Sequence, residues 1–145
     1  MTTKLVVGLD GHASGERALD FAVTQARLIG ECDLVVAYVI EWSPFSFHSA
    51  EENAQRHKRR EEEISTVMTR VIDPAVKKLQ ALGLTVTGKV RHGDVADTLN
   101  AIAKEQKAAQ IIVARSSEGG FSSRIFGSST FNLVKGADVP VTVVQ

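Results

Sequence analysis

The stretch with the clearest capacity for chemistry is residues 110–130, which read QIIVARSSEGGFSSRIFGSST. An apolar run of β-type residues is followed by a loop rich in glycine, serine and arginine. The loop ends in Gly-Ser-Ser-Thr, where a helix can begin. A helix N-terminus offers unpaired backbone N–H groups and the positive end of the helix dipole. Glycines let a ligand approach the backbone, and hydroxyls add donors. The pattern predicts an anion-binding site, with a nucleotide phosphate as the leading candidate.

The composition restricts the classes of protein and partner. The chain has 145 residues, 43% of them hydrophobic and 23% charged, which indicates one globular domain, 1–145. Seventeen basic and seventeen acidic residues give a formal net charge of zero. That balance provides no electrostatic case for nucleic acid or an acidic membrane as a partner. With one cysteine, no signal-peptide pattern and no apolar run near ~18 residues, we expect a cytoplasmic protein without an internal disulfide.

Apolar β-type runs alternate with segments of helical period, and this alternation predicts the fold. Continuous Val/Ile runs favour strands buried on both faces of a parallel sheet, and the intervening helices favour right-handed crossovers. The sequence therefore predicts a doubly wound α/β domain with a five-stranded parallel sheet in the order 3-2-1-4-5. Strands are expected at 4–9, 33–40, 85–90, 110–114 and 139–144. Helices are expected at 14–29, 51–82 (kinked or divided at Pro74), 94–106 and 128–135.

This topology predicts where a ligand would lie. In the order 3-2-1-4-5 the winding reverses between strands one and four, and ligands of such sheets bind at that crevice, beyond the carboxyl ends of the strands. Asp10 directly follows strand one, and the loop 114–128 follows strand four. Asp10 is therefore expected to lie opposite the glycine-rich loop. The alternative is that Asp10 only organises the turn with Gly11 by side-chain hydrogen bonding.

Three stretches together resemble the universal stress protein family. They are VVGLDGH at 6–12, GDVADTL at 93–99 and GSSTFNLVKGADVPVTVV at 127–144, and the resemblance covers essentially the whole chain. It implies a Rossmann-like fold similar to the adenine nucleotide alpha hydrolases. ATP-binding members carry Gly, two residues, Gly, nine residues, then Gly-Ser or Gly-Thr. Here Gly127-Ser128 is intact, but Ala114 and Ser117 replace the two earlier glycines.

The resemblance also implies a ligand and a set of contacts. The cofactor would be ATP or a related adenine nucleotide, with or without Mg²⁺. Asp10 would contact the ribose or the adenine edge, and Val39 would pack on adenine. On the phosphate side the site would include the following residues: Ala114, Ser117, Gly127, Ser128 and Ser129. The family is typically dimeric through its last strand, so a homodimer through residues 141–144 is expected, together with an unidentified protein partner.

Three functional classes stay open at this point. The first is a regulatory stress-response protein that binds adenine nucleotide without catalysis. The second is a stress protein that does not bind nucleotide and acts through protein–protein contacts, which the two missing glycines favour. The third is a slow ATPase or adenylate-forming enzyme. The chain has neither G-x-x-x-x-G-K-[ST] nor G-x-G-x-x-G after strand one, and its histidines lack the spacing of metal ligands. We therefore expect no catalytic residue and no metal site.

Two further regions have simpler interpretations. The charged run 51–63 is expected to be a solvated helix face with these i,i+4 pairs: Glu52/Arg56, Lys58/Glu62 and Arg59/Glu63. The aromatic residues Trp42, Phe45 and Phe47 could pack beneath the long helix, cover the site or meet a partner. Cys32 has no basic neighbour in sequence and is expected to be unreactive.

Overall fold

A computed structural model describes residues 2–41, 50–115 and 128–145, and Trp42, Phe45 and Phe47 lie outside this part of the chain. The strands are β1 (Thr3–Leu9), β2 (Cys32–Glu41), β3 (Thr85–Gly93), β4 (Gln110–Ala114) and β5 (Val141–Val144). The helices are α1 (Ser14–Ile29), α2 (Ala50–Val67), α3 (Asp73–Ala81), α4 (Val95–Gln106) and α5 (Ser128–Gly136), and a π-helical turn, Met68–Ile72, joins α2 to α3. All strand pairs are parallel and the order is β3-β2-β1-β4-β5. The predicted α/β fold is confirmed.

The sheet is buried on both faces by two hydrophobic cores. Because side chains alternate along a strand, Leu5 and Val7 of β1 pack on the side of α1 and α3, whereas Val6 packs on the side of α4 and α5. All three side chains are fully buried. Neighbouring β2 and β4 repeat the pattern, which explains why these strands read as unbroken apolar runs. The two cores leave the carboxyl edge of the sheet free for a site.

The long helix is divided next to Pro74, as predicted. The division falls at the π turn, and Pro74 lies in the first turn of α3. Proline is tolerated there, since a first-turn residue has no intrahelical acceptor for the N–H that proline lacks. The π turn packs on β3, where Gly88 leaves room for Ile72: a Cβ on Gly88 would fall well inside contact distance of the Ile72 Cγ2 atom.

The remaining boundaries follow local signals closely. Helix α1 has the predicted bounds and ends at Gly30, whose φ of +93° favours glycine. Asp94 caps α4, because its Oδ2 atom accepts a hydrogen bond of 3.0 Å from the Asp97 N–H. β5 begins two residues later than predicted, after Pro140, and the edge strand β3 runs three residues longer, because it stays paired with β2 as far as Gly93. No helix in the described residues is long and apolar enough to cross a membrane.

Candidate ligand-binding cleft

A cleft of about 1390 Å³ lies at the carboxyl edge of the sheet. The ends of β1, β2 and β4 form its floor, the beginnings of α4 and α5 close one side, and one face of α2 forms the other. Five of the predicted site residues line it: Asp10, Val39, Ala114, Ser128 and Ser129. Ser117 and Gly127 lie outside the described residues. The cleft is at the switch point between β1 and β4, where the topology predicts a ligand.

Asp10 organises the turn that leads from β1 into α1. The His12 N–H donates to Oδ1 of Asp10 over 3.0 Å, and the hydroxyl of the buried Ser14 donates to Oδ2 over 3.4 Å. Gly11, at φ +82°, lies in the backbone region that favours glycine. The turn role that the sequence left open is therefore present. A carboxylate has about four acceptor positions, so the exposed Asp10 keeps capacity for donors of a ligand.

The floor of the cleft is apolar and closely packed. Val39 lines the cleft with only 8% of its surface exposed, and Leu99 of α4 lies beside it in the same core. A Cβ on Gly8 would approach Cδ1 of Leu99 to 3.0 Å and Cγ1 of Val113 to 3.1 Å. Glycine at this position therefore lets α4 lie close to β1. The resulting surface suits the flat, apolar face of a ring.

In the residues that the structure describes, the α5 side of the cleft offers donors and no acidic side chain. Ser128, Ser129 and Thr130 line the cleft at the start of α5, and no acidic residue lies in the first turn of this helix. The positive end of the helix dipole points the same way. Ala114 ends β4 at the same side. This side can hydrogen-bond an anion.

Arg17 of α1 hydrogen-bonds the residues that directly follow β4 and β5, close to the start of α5. Its Nε donates to the Gln145 carbonyl over 2.6 Å, and its Nη2 donates to the Arg115 carbonyl over 2.9 Å. The Arg115 N–H in turn donates to the Val144 carbonyl over 2.6 Å. One guanidinium therefore connects the ends of β4 and β5 to α1, which determines where the segment after Ala114 leaves the sheet.

The α2 side is charged, and sequence reasoning missed its part in the site. Helix α2 contributes Arg59, Glu62, Glu63 and Thr66 to the lining, and β2 adds Glu41. With Asp10, the described lining has four carboxylates and one guanidinium. The signal available in the sequence was the charged run 51–63. That run predicted an exposed helix face. It did not predict that this face would border the cleft.

Two of the ion pairs predicted on α2 are wrong. The carboxylate of Glu63 is 3.0 Å from Nε2 of His92 on β3 instead of pairing with Arg59. Neither Lys58/Glu62 nor Arg59/Glu63 forms, and the Arg59 side chain has no hydrogen-bond or ion-pair partner in the described part of the chain. The His92 side chain is only 9% exposed. A nearly buried partner loses less side-chain freedom than two exposed residues on one helix turn. His57 is solvated as predicted, with its side chain 75% exposed.

Burial raises the pKa of two side chains, Tyr38 and Cys32. The pKa of Tyr38, which lines the cleft, is raised by burial and then by the negative charges of Asp10 and Glu41. Tyr38 therefore keeps its proton and acts as a hydroxyl donor or acceptor. Burial, and then Asp33, raises the pKa of the Cys32 thiol, as in an unreactive cysteine. No group of three His, Cys, Asp or Glu side chains able to hold a metal ion occurs in the described residues.

Fold and cleft together define a doubly wound parallel α/β protein with a cleft at the topological switch point. The particular family follows from the sequence match. The model of the universal stress protein family matches residues 1–145, so the chain belongs to the universal stress protein family. A comparison with curated proteins gives no significant match.

Solved structures share the fold over the full chain. Universal stress protein UspA from Lactobacillus plantarum is 18% identical, with a TM-score of 0.77 over 99% of this chain and 97% of that one. A universal stress protein in complex with cAMP is 23% identical, with a TM-score of 0.65 over 99% and 96%. A family member from Arabidopsis thaliana with AMP bound is 16% identical, with a TM-score of 0.66 over 98% and 90%.

Proposed function

We propose that this protein is a regulatory universal stress protein that binds an adenine nucleotide in the switch-point cleft and does not turn it over. The observation that carries the proposal is that the cleft brings together Asp10, Val39, Ala114, Ser128 and Ser129. These residues come from four separate segments of the chain. Two structures of the same fold hold cAMP or AMP, which makes an adenine mononucleotide the class of ligand to test first.

The geometry supports one orientation of the nucleotide. The buried Val39 offers an apolar surface for the base, and the exposed carboxylate of Asp10 can accept hydrogen bonds from ribose hydroxyls. The phosphate belongs at the start of α5, because Ser128 and Ser129 supply donors there and no acidic residue occupies the first turn. Ala114, in the place of a family glycine, adds only a methyl group on this side.

The cleft offers little for catalysis, which supports a binding role. The pKa of Tyr38, which lines the cleft, is raised by burial and by the charges of Asp10 and Glu41. A tyrosine with a raised pKa does not act as a general base near neutral pH.

Calorimetric titration with AMP, cAMP and ATP tests the proposal. We expect saturable binding, and we expect Asp10→Asn to weaken it about tenfold, because a charge-assisted hydrogen bond contributes about 1.5–3 kcal/mol. Asparagine keeps an oxygen for the His12 N–H, so the turn is largely retained. Asp20→Asn is the matched control, since Asp20 is an exposed residue of α1 outside the cleft. Absence of saturable binding at millimolar nucleotide would reject the proposal in favour of action through protein–protein contacts alone.

The proposal includes a homodimer through β5. This strand is at the edge of the sheet and pairs only with β4. The carbonyls of Pro140 and Val144 accept hydrogen bonds from the β4 side, so the backbone groups of Val141 and Val143 face outward by alternation. An uncharged valine-rich edge is suited to pairing with a second copy.

Val143→Pro tests the dimer. The substitution removes an outward N–H without removing a hydrogen bond to β4. We expect light scattering to give the mass of a dimer for the unmodified protein and of a monomer for the variant. A dimer of unchanged stability in Val143→Pro would contradict pairing through this edge.

A further inference from the structure

The guanidinium of Arg59 borders the cleft and has no hydrogen-bond or ion-pair partner among the described residues. It is also the one Lys or Arg among the lining residues that the structure describes. Glu63, four residues along the same helix, would be its usual partner. His92 holds that carboxylate instead, at 3.0 Å. A free cation beside a ligand cleft is available for the ligand.

The distribution of charge indicates which part of a ligand Arg59 meets. Glu41, Glu62 and Glu63 line the same side of the cleft as Arg59. A phosphate placed there would be repelled by these carboxylates, whereas the start of α5 offers it donors and no acidic side chain. The anionic end of a nucleotide therefore points to α5. The uncharged end, the nucleobase, points to α2 and Arg59.

We infer that Arg59 is a base-positioning residue, which packs its planar guanidinium against the nucleobase of the bound nucleotide. This inference rests on the proposed function of the cleft. A guanidinium stacks on aromatic rings, and replacement by lysine at a stacked position is not conservative. Arginine contributes cation–π interactions where nucleobases stack on proteins. The His92–Glu63 pair has a positioning role, because it keeps Glu63 away from Arg59.

The test measures AMP affinity for Arg59→Ala and Arg59→Lys by calorimetric titration. We expect Arg59→Ala to weaken AMP binding about tenfold and Arg59→Lys to weaken it several-fold, since lysine retains the charge but not the planar group. Lys58→Ala is the matched control: it removes a positive charge from the adjacent position, which does not line the cleft, and should leave AMP affinity unchanged. Arg59 is exposed on a helix, so alanine there should not affect folding.

The outcomes distinguish failure of the Arg59 assignment from failure of the proposed nucleotide-binding function. If the unmodified protein does not bind AMP, cAMP or ATP, the proposed function fails. If AMP binds and Arg59→Lys retains full affinity while Arg59→Ala loses it, Arg59 acts on the phosphate by charge and the base assignment is overturned. Equal AMP affinity for all three proteins would also overturn it.

A second pair of variants tests the role of His92, which does not line the cleft. His92→Ala should release Glu63 to pair with Arg59 and weaken AMP binding a few-fold. Adding Glu63→Gln should restore the affinity, because the competing charge is then absent. Circular dichroism checks that both variants fold. Unchanged AMP affinity in a folded His92→Ala protein would overturn the positioning role.

Discussion

The two sides of the cleft are built in different ways. On one side, α5 is a short helix of nine residues that buries Leu133 in the core and presents hydroxyls to the cleft. On the other side, α2 has 18 residues, and none of its described side chains is fully buried. The α5 side is therefore positioned by packing, whereas the α2 side is free to vary its charges at little cost to folding. If the proposed function holds, the α5 side supplies constant donors for a phosphate and the α2 side adjusts ligand preference.

The largest expected effect is a difference in stability between two truncated variants, one on each side of the cleft. Leu133→Ala removes a buried side chain of α5 and should lower the free energy of unfolding by about 3 kcal/mol. Glu62→Ala removes an exposed side chain of α2 and should change it by less than about 0.5 kcal/mol. Urea denaturation followed by circular dichroism measures both. Equal losses would show that packing positions both sides alike.

A smaller effect on stability is expected at the π turn that follows α2, because this turn packs against β3. Gly88→Ala places a methyl group against the fully buried Ile72 of the π turn and should cost about 2 kcal/mol through overpacking. Gly136→Ala at the end of α5 is the control, because a Cβ there meets nothing within 4 Å. A shift in the denaturation midpoint for Gly88→Ala that is no larger than for Gly136→Ala would mean that the contact between β3 and the π turn is loose.

The smallest effect is on how stability depends on pH. It concerns the contact between α4 and Asp138, a residue that lies between α5 and β5. The pKa of Asp138 is lowered by the Asn100 hydrogen bond and then by the charge of Lys104. A lowered pKa contributes stability above the unfolded-state value, near pH 4, that disappears as pH falls through the folded-state value. Asp138→Ala should therefore be slightly less stable than the unmodified protein at pH 7 and equally stable near pH 2. Thermal unfolding across this range measures the difference; a gap that persists near pH 2 would assign it to lost packing.

Much of the molecule could be predicted because the relevant signals are local. The Val/Ile runs define buried strands, Gly30 ends α1, and Asp94 caps α4, each through the chemistry of one or a few neighbouring residues. The strand order and the switch-point rule then place Asp10 near Ala114 without any knowledge of side-chain contacts. Pro74 likewise marked the region in which the long helix divides, whereas the packing of Ile72 over Gly88 joins residues distant in the chain and could not be predicted from local signals.

The sequence by itself determined the parallel sheet, its order and the edge that holds the cleft, since these follow from hydrophobic period, turn chemistry and the handedness of crossovers. The tertiary structure alone decided which face of α2 borders that cleft and which partner Glu63 takes. In sequence, Arg59 is the nearer partner, four residues away. In the fold, His92 of β3 meets the same carboxylate from a nearly buried position. Contacts between residues distant in the chain are set by packing, and this contact leaves Arg59 available to the cleft.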